Sequence, residues 1–359
     1  IEAEIAGLFD HVETDAMGSL LCRRDAGQEG APKVMLLCHM DEIGFLVSHV
    51  SEKGWIYVQP VGGFDPRNLF SRRVLVSTEA GDFKGVMNPG GKPVHISSPE
   101  DRKKVPEVGE FFVDLGMGEK TAEVVRVGDY VTMDEPFLEM GTKVVSKALD
   151  NRIACWLGIE AVRGLAADQG RGAEIHVAFT CQEEVGLRGA RTAAYRVRPD
   201  IGIGIDVTLA CDTPGVPEQL RTTEQGKGFG LHVRDSSFIA DARLVAEIEA
   251  LAKEKGISYQ RTMLAAGGQD GAAAQQAAAG VAEIAPANMD EAWAALKRER
   301  GIVLWLEARR LHEPSRRVER HRRPQPHRLL GRRDAGLHGV RVDDERRGAV
   351  EQRLVLQHP

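Results

Sequence analysis

Apolar positions along this chain come in two rhythms. Val34-Met35-Leu36-Leu37 is a continuous run, as a buried strand requires, and Ile175-His176-Val177-Ala178-Phe179 and Ile201-Gly202-Ile203-Gly204-Ile205 have the same strand-like character. After Asp150 the spacing changes, and Ile153, Trp156, Leu157, Ile159 and Val162 predict the apolar side of a helix. A second helix is predicted over Ala242–Lys255, where Leu244, Val245, Ile248 and Leu251 recur at helical intervals. The opening Ile1-Glu2-Ala3-Glu4-Ile5 is also helix-like, as if entered part-way through an element. Together these segments predict an α/β protein.

From Trp55 to about Met140 the rhythm is different. Short β-rich runs such as Trp55-Ile56-Tyr57-Val58 and Arg73-Val74-Leu75-Val76 are separated by Gly62-Gly63, Asn88-Pro89-Gly90-Gly91 and Gly128-Asp129. This predicts a small β-barrel or sandwich inserted into the larger domain. The chain's 359 residues are enough for two domains with a large core. The expected division is a discontinuous larger domain at 1–51 and 143–306, a β-rich insert at 52–142, and an atypical segment at 307–359. That last segment and its approach stand apart in composition. Beyond Gly301 there are fourteen arginines and five of the chain's eleven histidines, with few aliphatic residues. A basic tail, or a GC-rich coding sequence read out of frame, would both look like this. No aromatic residues interleave the arginines to stack bases, which argues against nucleic acid.

Overall charge adds little. With 53 acidic against 47 basic residues, neither a nucleic-acid nor a membrane partner is expected. No apolar run reaches the roughly 20 residues of a spanning helix, and no basic-then-apolar leader is present. The five cysteines are odd in number and lack CxxC spacing, so a disulfide framework or cysteine zinc knot is not expected. They read as reduced thiols of a cytoplasmic protein, and the neighbours of Cys38, Cys155 and Cys181 predict core packing for these three.

The chemistry gathers where apolar runs stop. Leu37-Cys38 leads into His39-Met40-Asp41-Glu42, which suits an imidazole ligand beside an acid that orients it. Asp150 stands at the start of a predicted helix, where it could equally be an N-cap. Glu183-Glu184 follows a buried strand; such a pair is costly to bury without a cation or a chemical task, although a solvated loop would also accept it. Asp206 follows the strand ending at Ile205. Carboxylates with imidazole suit Zn2+, Co2+ or Mn2+, and the absence of cysteine ligands favours a catalytic over a structural site.

Four segments, His39-Met40-Asp41-Glu42-Ile43-Gly44-Phe45, Lys147-Ala148-Leu149-Asp150-Asn151-Arg152, Gln182-Glu183-Glu184-Val185-Gly186-Leu187-Arg188-Gly189-Ala190 and Gly204-Ile205-Asp206-Val207-Thr208, resemble the dinuclear-metal glutamyl or tetrahedral aminopeptidase family. Asp235-Ser236-Ser237 and Gly267-Gly268-Gln269-Asp270 resemble its later motifs, with Gln269 where the family usually has threonine. The resemblance covers about residues 1–281. It implies a mixed sheet flanked by helices, as in metallo-exopeptidases, with a β-barrel-like insert that mediates assembly from dimer to dodecamer. It also implies a metalloaminopeptidase with two divalent ions per chain and peptide substrates. His39, Asp150 and Asp206 would hold one ion, Asp150 bridging to a second held by Glu184 and a late histidine. Glu183 would be the general base acting on a metal-bridged water, and Asp41 would orient His39. The late histidine departs from the family pattern: His312 is the expected ligand, with His321, His327 and His338 as weaker matches.

Two competing functions follow. The altered C-terminus suits an inactive or damaged homologue with an incomplete second metal site. An endoglucanase-like glycosidase, a label some family members carry, is disfavoured. Glycoside hydrolysis needs two carboxylates at least ~5 Å apart across the bond and normally no metal.

Overall fold

The computed structural model describes residues 1–166 and 171–278. The first strands are β1 (His11–Thr14), β2 (Leu20–Arg24) and β3 (Lys33–His39). Next come β4 (Gly44–Val50), β5 (Ile56–Val61), β6 (Arg72–Thr78), β7 (Gly81–Pro89), β8 (Phe111–Asp114), the short helix α1 (Thr121–Val124) and β9 (Tyr130–Met133). The hairpin β10 (Leu138–Met140) and β11 (Lys143–Val145) leads into α2 (Leu149–Ala166), β12 (Glu174–Thr180), α3 (Arg188–Val197) and β13 (Ile201–Gly204). Then follow β14 (Phe229–Arg234), α4 (Ala242–Lys255), β15 (Tyr259–Met263) and α5 (Gly271–Ala278).

The central sheet has the order β1-β2-β12-β3-β13. β12, β3 and β13 are parallel, while β1 and β2 join antiparallel, so the sheet is mixed as expected. The continuous apolar runs of β3 and β12 are explained by burial on both faces, whereas β13, last in the sheet order and expected as a buried strand, is half-buried with Ile201 exposed. On one face Leu20, Cys22, Cys38, Val177 and Phe179 pack with Ala154, Cys155, Ile159 and Val162 of α2. On the other, Leu21, Met35, Leu37 and Ala178 meet the alanines of α3 and α5. Neighbouring residues point to opposite faces, which is the period of two expected of a strand.

β13 shows what its alternating glycines accomplish. A Cβ on Gly202 would lie 2.1 Å from Ala274 Cβ, and one on Gly204 would lie 2.1 Å from Gln269 Oε1. Glycine at both positions lets α5 and the turn before it press against the strand.

The predicted barrel is present as a closed sheet, β4-β5-β8-β7-β6-β9, around Phe45, Val47, Ile56, Val74, Val76, Met87, Phe111, Val113 and Val131. Its first strand, β4, lies ahead of Glu52, where turn composition suggests that the β-rich region begins. Turn residues mark loops; they do not record which sheet a strand joins.

Three local expectations change. Trp156 and Leu157 are exposed; Ile159 and Val162 are buried as the spacing predicts, joined by Ala154 and Cys155, whose small side chains let the helix approach the sheet. Ile1–Ile5 forms consecutive turns, held by Glu4 N–H to Ile1 O at 2.8 Å and Ile5 N–H to Ile1 O at 3.1 Å. A nucleus this short gains too few hydrogen bonds to propagate a helix. Cys181, expected in the core with Cys38 and Cys155, is only half-buried; all five cysteines are unpaired. No helix among the described residues is long and apolar enough to cross a membrane. The whole segment 307–359 lies outside the described residues.

Candidate metal centre

Parallel strands deliver their C-terminal loops to one end of a sheet, and here three of them do so side by side. His39 is the last residue of β3 and is 2% exposed. Thr180, the last residue of β12, is its direct partner across the strand pair. Glu183 and Glu184 follow three and four residues later. Asp206 comes just past β13, where Ile205 N–H still bonds Leu37 O at 3.0 Å. Asp150 enters from the start of α2, and the neighbouring Asn151 donates through Nδ2 to Ile205 O at 2.9 Å. That bond ties the helix start to the loop carrying Asp206.

The side chains converge on one imidazole. His39 Nε2 lies 3.2 Å from Asp150 Oδ1 and 3.8 Å from both Glu183 Oε2 and Asp206 Oδ1. His39 Nδ1 faces Asp41, 3.2 Å from its carbonyl oxygen and 3.5 Å from Oδ1. The Asp41 carboxylate also accepts the backbone N–H of Glu183 at 3.1 Å and of Glu184 at 3.3 Å. It therefore anchors the glutamate loop as well as facing His39, a second contact the sequence gives no sign of. The loop needs such anchors, because Gln182 and Leu187 both have φ of +58°, an unfavourable left-handed conformation for residues with a side chain.

Crowding dominates the electrostatics. Burial pushes Glu183 up to about 9 and Asp206 up to about 8, each helped by neighbouring carboxylates. Burial and the Asp150 charge raise Glu184 to about 7. Burial disfavours a charged His39, yet the Asp150 and Asp41 carboxylates outweigh it and lift its pKa to about 12. Asp41 moves down: burial opposes ionisation, but His39 and the two N–H donors prevail.

These donors fit a divalent ion. His39, Asp150 and Asp206 each offer one ligand atom within 4.8 Å of the others, as do His39, Glu183 and Glu184. Tetrahedral zinc with bonds of ~2.1 Å spaces its donors by about 3.4 Å, close to the 3.2–3.8 Å that separates His39 Nε2 from the Asp150, Glu183 and Asp206 oxygens. The two groupings share His39, whose Nε2 can bind one ion, so they are alternatives unless a further ligand joins Glu184. His312, the expected supplier, lies outside the described residues, as do His321, His327 and His338.

The sequence-predicted residues His39, Asp41, Asp150, Glu183, Glu184 and Asp206 are thus all brought together. One neighbour was not singled out. Asp270, 3% exposed at the threshold of α5, accepts the Thr180 hydroxyl through Oδ2, while Oδ1 is buried with no partner among the described residues. Its signal was the Gly267-Gly268-Gln269-Asp270 motif, which reveals a turn but not what the acid faces. Beside the site, Lys147 Nζ pairs with Glu42 Oε1 at 2.5 Å.

Known proteins share this arrangement of sequence. The model of the M42 glutamyl aminopeptidase family matches residues 18–287. A TET aminopeptidase structure from the marine sediment archaeon Thaumarchaeota archaeon SCGC AB-539-E09 is 33% identical, with 76% of this chain and 77% of that one covered and a TM-score of 0.72. The TET1 peptidase of Pyrococcus horikoshii, described as assembling into a tetrahedron or a large octahedral shell, is 30% identical over 77% of this chain and 80% of that one, with a TM-score of 0.67. The lysyl aminopeptidase of Pyrococcus furiosus is 33% identical over 56% of this chain and 57% of its own length. The chain belongs to the M42 glutamyl aminopeptidase family of peptide hydrolases.

Proposed function

We propose that this chain is a metal-dependent aminopeptidase that removes N-terminal residues from peptides. The observation that carries the proposal is the convergence of His39, Asp150, Glu183 and Asp206 at the carboxyl ends of three strands. His39, Asp150 and Asp206 would hold one ion, and Asp150 and Glu184 a second, completed by His312. Divalent ions such as Zn2+, Co2+ or Mn2+ supply Lewis acidity to the scissile carbonyl and a lowered pKa to the attacking water. Glu183, the general base, takes a proton from that water and returns it to the leaving amine. Asp41 holds the His39 imidazole on one side and the backbone of the two glutamates on the other, which keeps base and ligand at a fixed spacing.

Self-association follows by analogy with the P. horikoshii peptidase, and the barrel, which contributes to neither group of candidate ligands, is its proposed surface. Five unpaired cysteines suit the reducing cytoplasm. The side-chain preference is left to experiment, since relatives bear both glutamyl and lysyl names.

The test is hydrolysis of a peptide panel by Co2+-loaded protein, with free and N-acetylated versions of each peptide. Release of the first residue from free peptides only is expected. Metal-loaded protein that cleaves none of them would overturn the proposal. A second reading has its own support: the family match ends at residue 287, short of His312. An incomplete second site would appear as one tightly bound ion per chain and little turnover.

A further inference from the structure

Asp270 is a buried acid that the proposed chemistry does not use. Among the described residues its carboxylate is bonded on one side only: Oδ2 accepts from Thr180 Oγ1, and Oδ1 is enclosed without a partner. Leaving a buried carboxylate oxygen unpaired is costly, so its retention needs a compensating task. Its placement suggests one. Thr180 stands opposite His39 in the parallel pair of β12 and β3, and parallel partners in register present their side chains to the same face. Thr180 is also the last residue before the Cys181–Leu187 loop, which carries Glu183 and Glu184 and contains two non-glycine residues at positive φ. Asp270 itself is held between that strand end and α5, where the glycines of β13 let the turn approach closely. Burial raises its pKa to about 6.

Building on the metal-dependent reading above, we propose that Asp270 is a positioning residue that acts through the Thr180 hydroxyl. The bond fixes the end of β12, and thereby sets the His39 imidazole and the glutamate loop at the spacing a metal ion requires. Asp270 touches neither ion nor substrate. Partners lying behind metal ligands typically govern affinity by 10–100-fold.

The experiment is a double-mutant cycle on the full chain, read out as Co2+ affinity by competition with a chromophoric chelator and as the visible Co2+ spectrum. Asp270→Ala and Thr180→Val should each weaken Co2+ binding about 10-fold and broaden its absorption. The double variant should be no worse than either single one, because both remove the same bond. Thr180→Ser, which keeps the hydroxyl, and Asp270→Asn, which keeps an acceptor oxygen, should restore wild-type affinity. Thermal unfolding of each ion-free variant separates a loss of fold from a loss of positioning, and the two conservative variants carry the test if the others do not fold. Additive losses would overturn the proposal, as would an Asp270→Asn variant as weak as Asp270→Ala, since charge alone would then be at work. Wild-type protein that binds Co2+ yet cleaves no peptide would overturn the peptidase reading and leave this one to the cycle. Wild-type protein that binds no Co2+ would overturn both.

Discussion

The barrel and the central sheet use the same apolar alternation and reach opposite ends. In the barrel, antiparallel strands return through turns at both rims, and the interior fills with Val47, Ile56, Val74, Met87 and Phe111. The central sheet instead runs three strands the same way, so three loops meet at one rim, where burial and charge accumulate together around His39. One region spends its burial on cohesion, the other on holding groups that would rather be in water. Parallel connectivity, more than residue type, determines where chemistry can collect.

That contrast can be broken most directly at Glu183. Glu183→Gln should reduce peptide hydrolysis by roughly 10²–10⁴-fold while metal content is unchanged, because the amide cannot accept a proton. Near-normal turnover by the purified variant, measured with its metal content, would remove Glu183 from the role of base.

The matching barrel variant is Phe111→Ala. Emptying this fully buried site should cost about 3–5 kcal/mol in denaturant unfolding, with Co2+ affinity of the folded protein unchanged. A loss of affinity in step with stability would show that the two regions are not independent.

Within the centre, Asp150→Ala should lose both ions on dialysis, whereas Asp206→Ala should mainly weaken one. If Asp150 bridged two ions it would serve both coordination spheres, and without it the two cations would repel each other. Two tightly held ions in the Asp150 variant would rule out bridging.

The smallest effect is in pH dependence. In the ion-free protein Glu184, Asp206 and Glu183 titrate at about 7, 8 and 9, above their ordinary values, so the folded state holds protons the unfolded state releases. Their contribution to stability is full below the unfolded pKa and is lost as pH rises through about 7 to 9. The ion-free Tm should therefore fall from about pH 6 to about pH 9, while Co2+ affinity rises over the same interval as protons leave the ligands. An ion-free Tm that rises across this range would contradict the crowding described here.

Much of this was open to view in the chain. The runs at Val34–Leu37 and Ile175–Phe179, the turn-rich barrel segment and the helix over Ala242–Lys255 are local patterns, and local patterns survive folding. The site was legible too, because acids and a histidine placed directly after apolar runs must sit at element ends. What could not be read were contacts between residues far apart in sequence. The exposure of Trp156 and Leu157 depends on how closely α2 sits against the sheet. The membership of β4 in the barrel depends on its partners β5 and β9.

The sequence by itself determined most of the strands and helices and which acids and histidine fall at element ends, since periodicity and residue chemistry are properties of short segments. Tertiary structure alone decided that Asp41 would hold the glutamate backbone 142 residues away, and that Asp270 would reach Thr180 across 90 residues. Those pairings follow from strand order, and no local pattern encodes which strand ends will lie side by side.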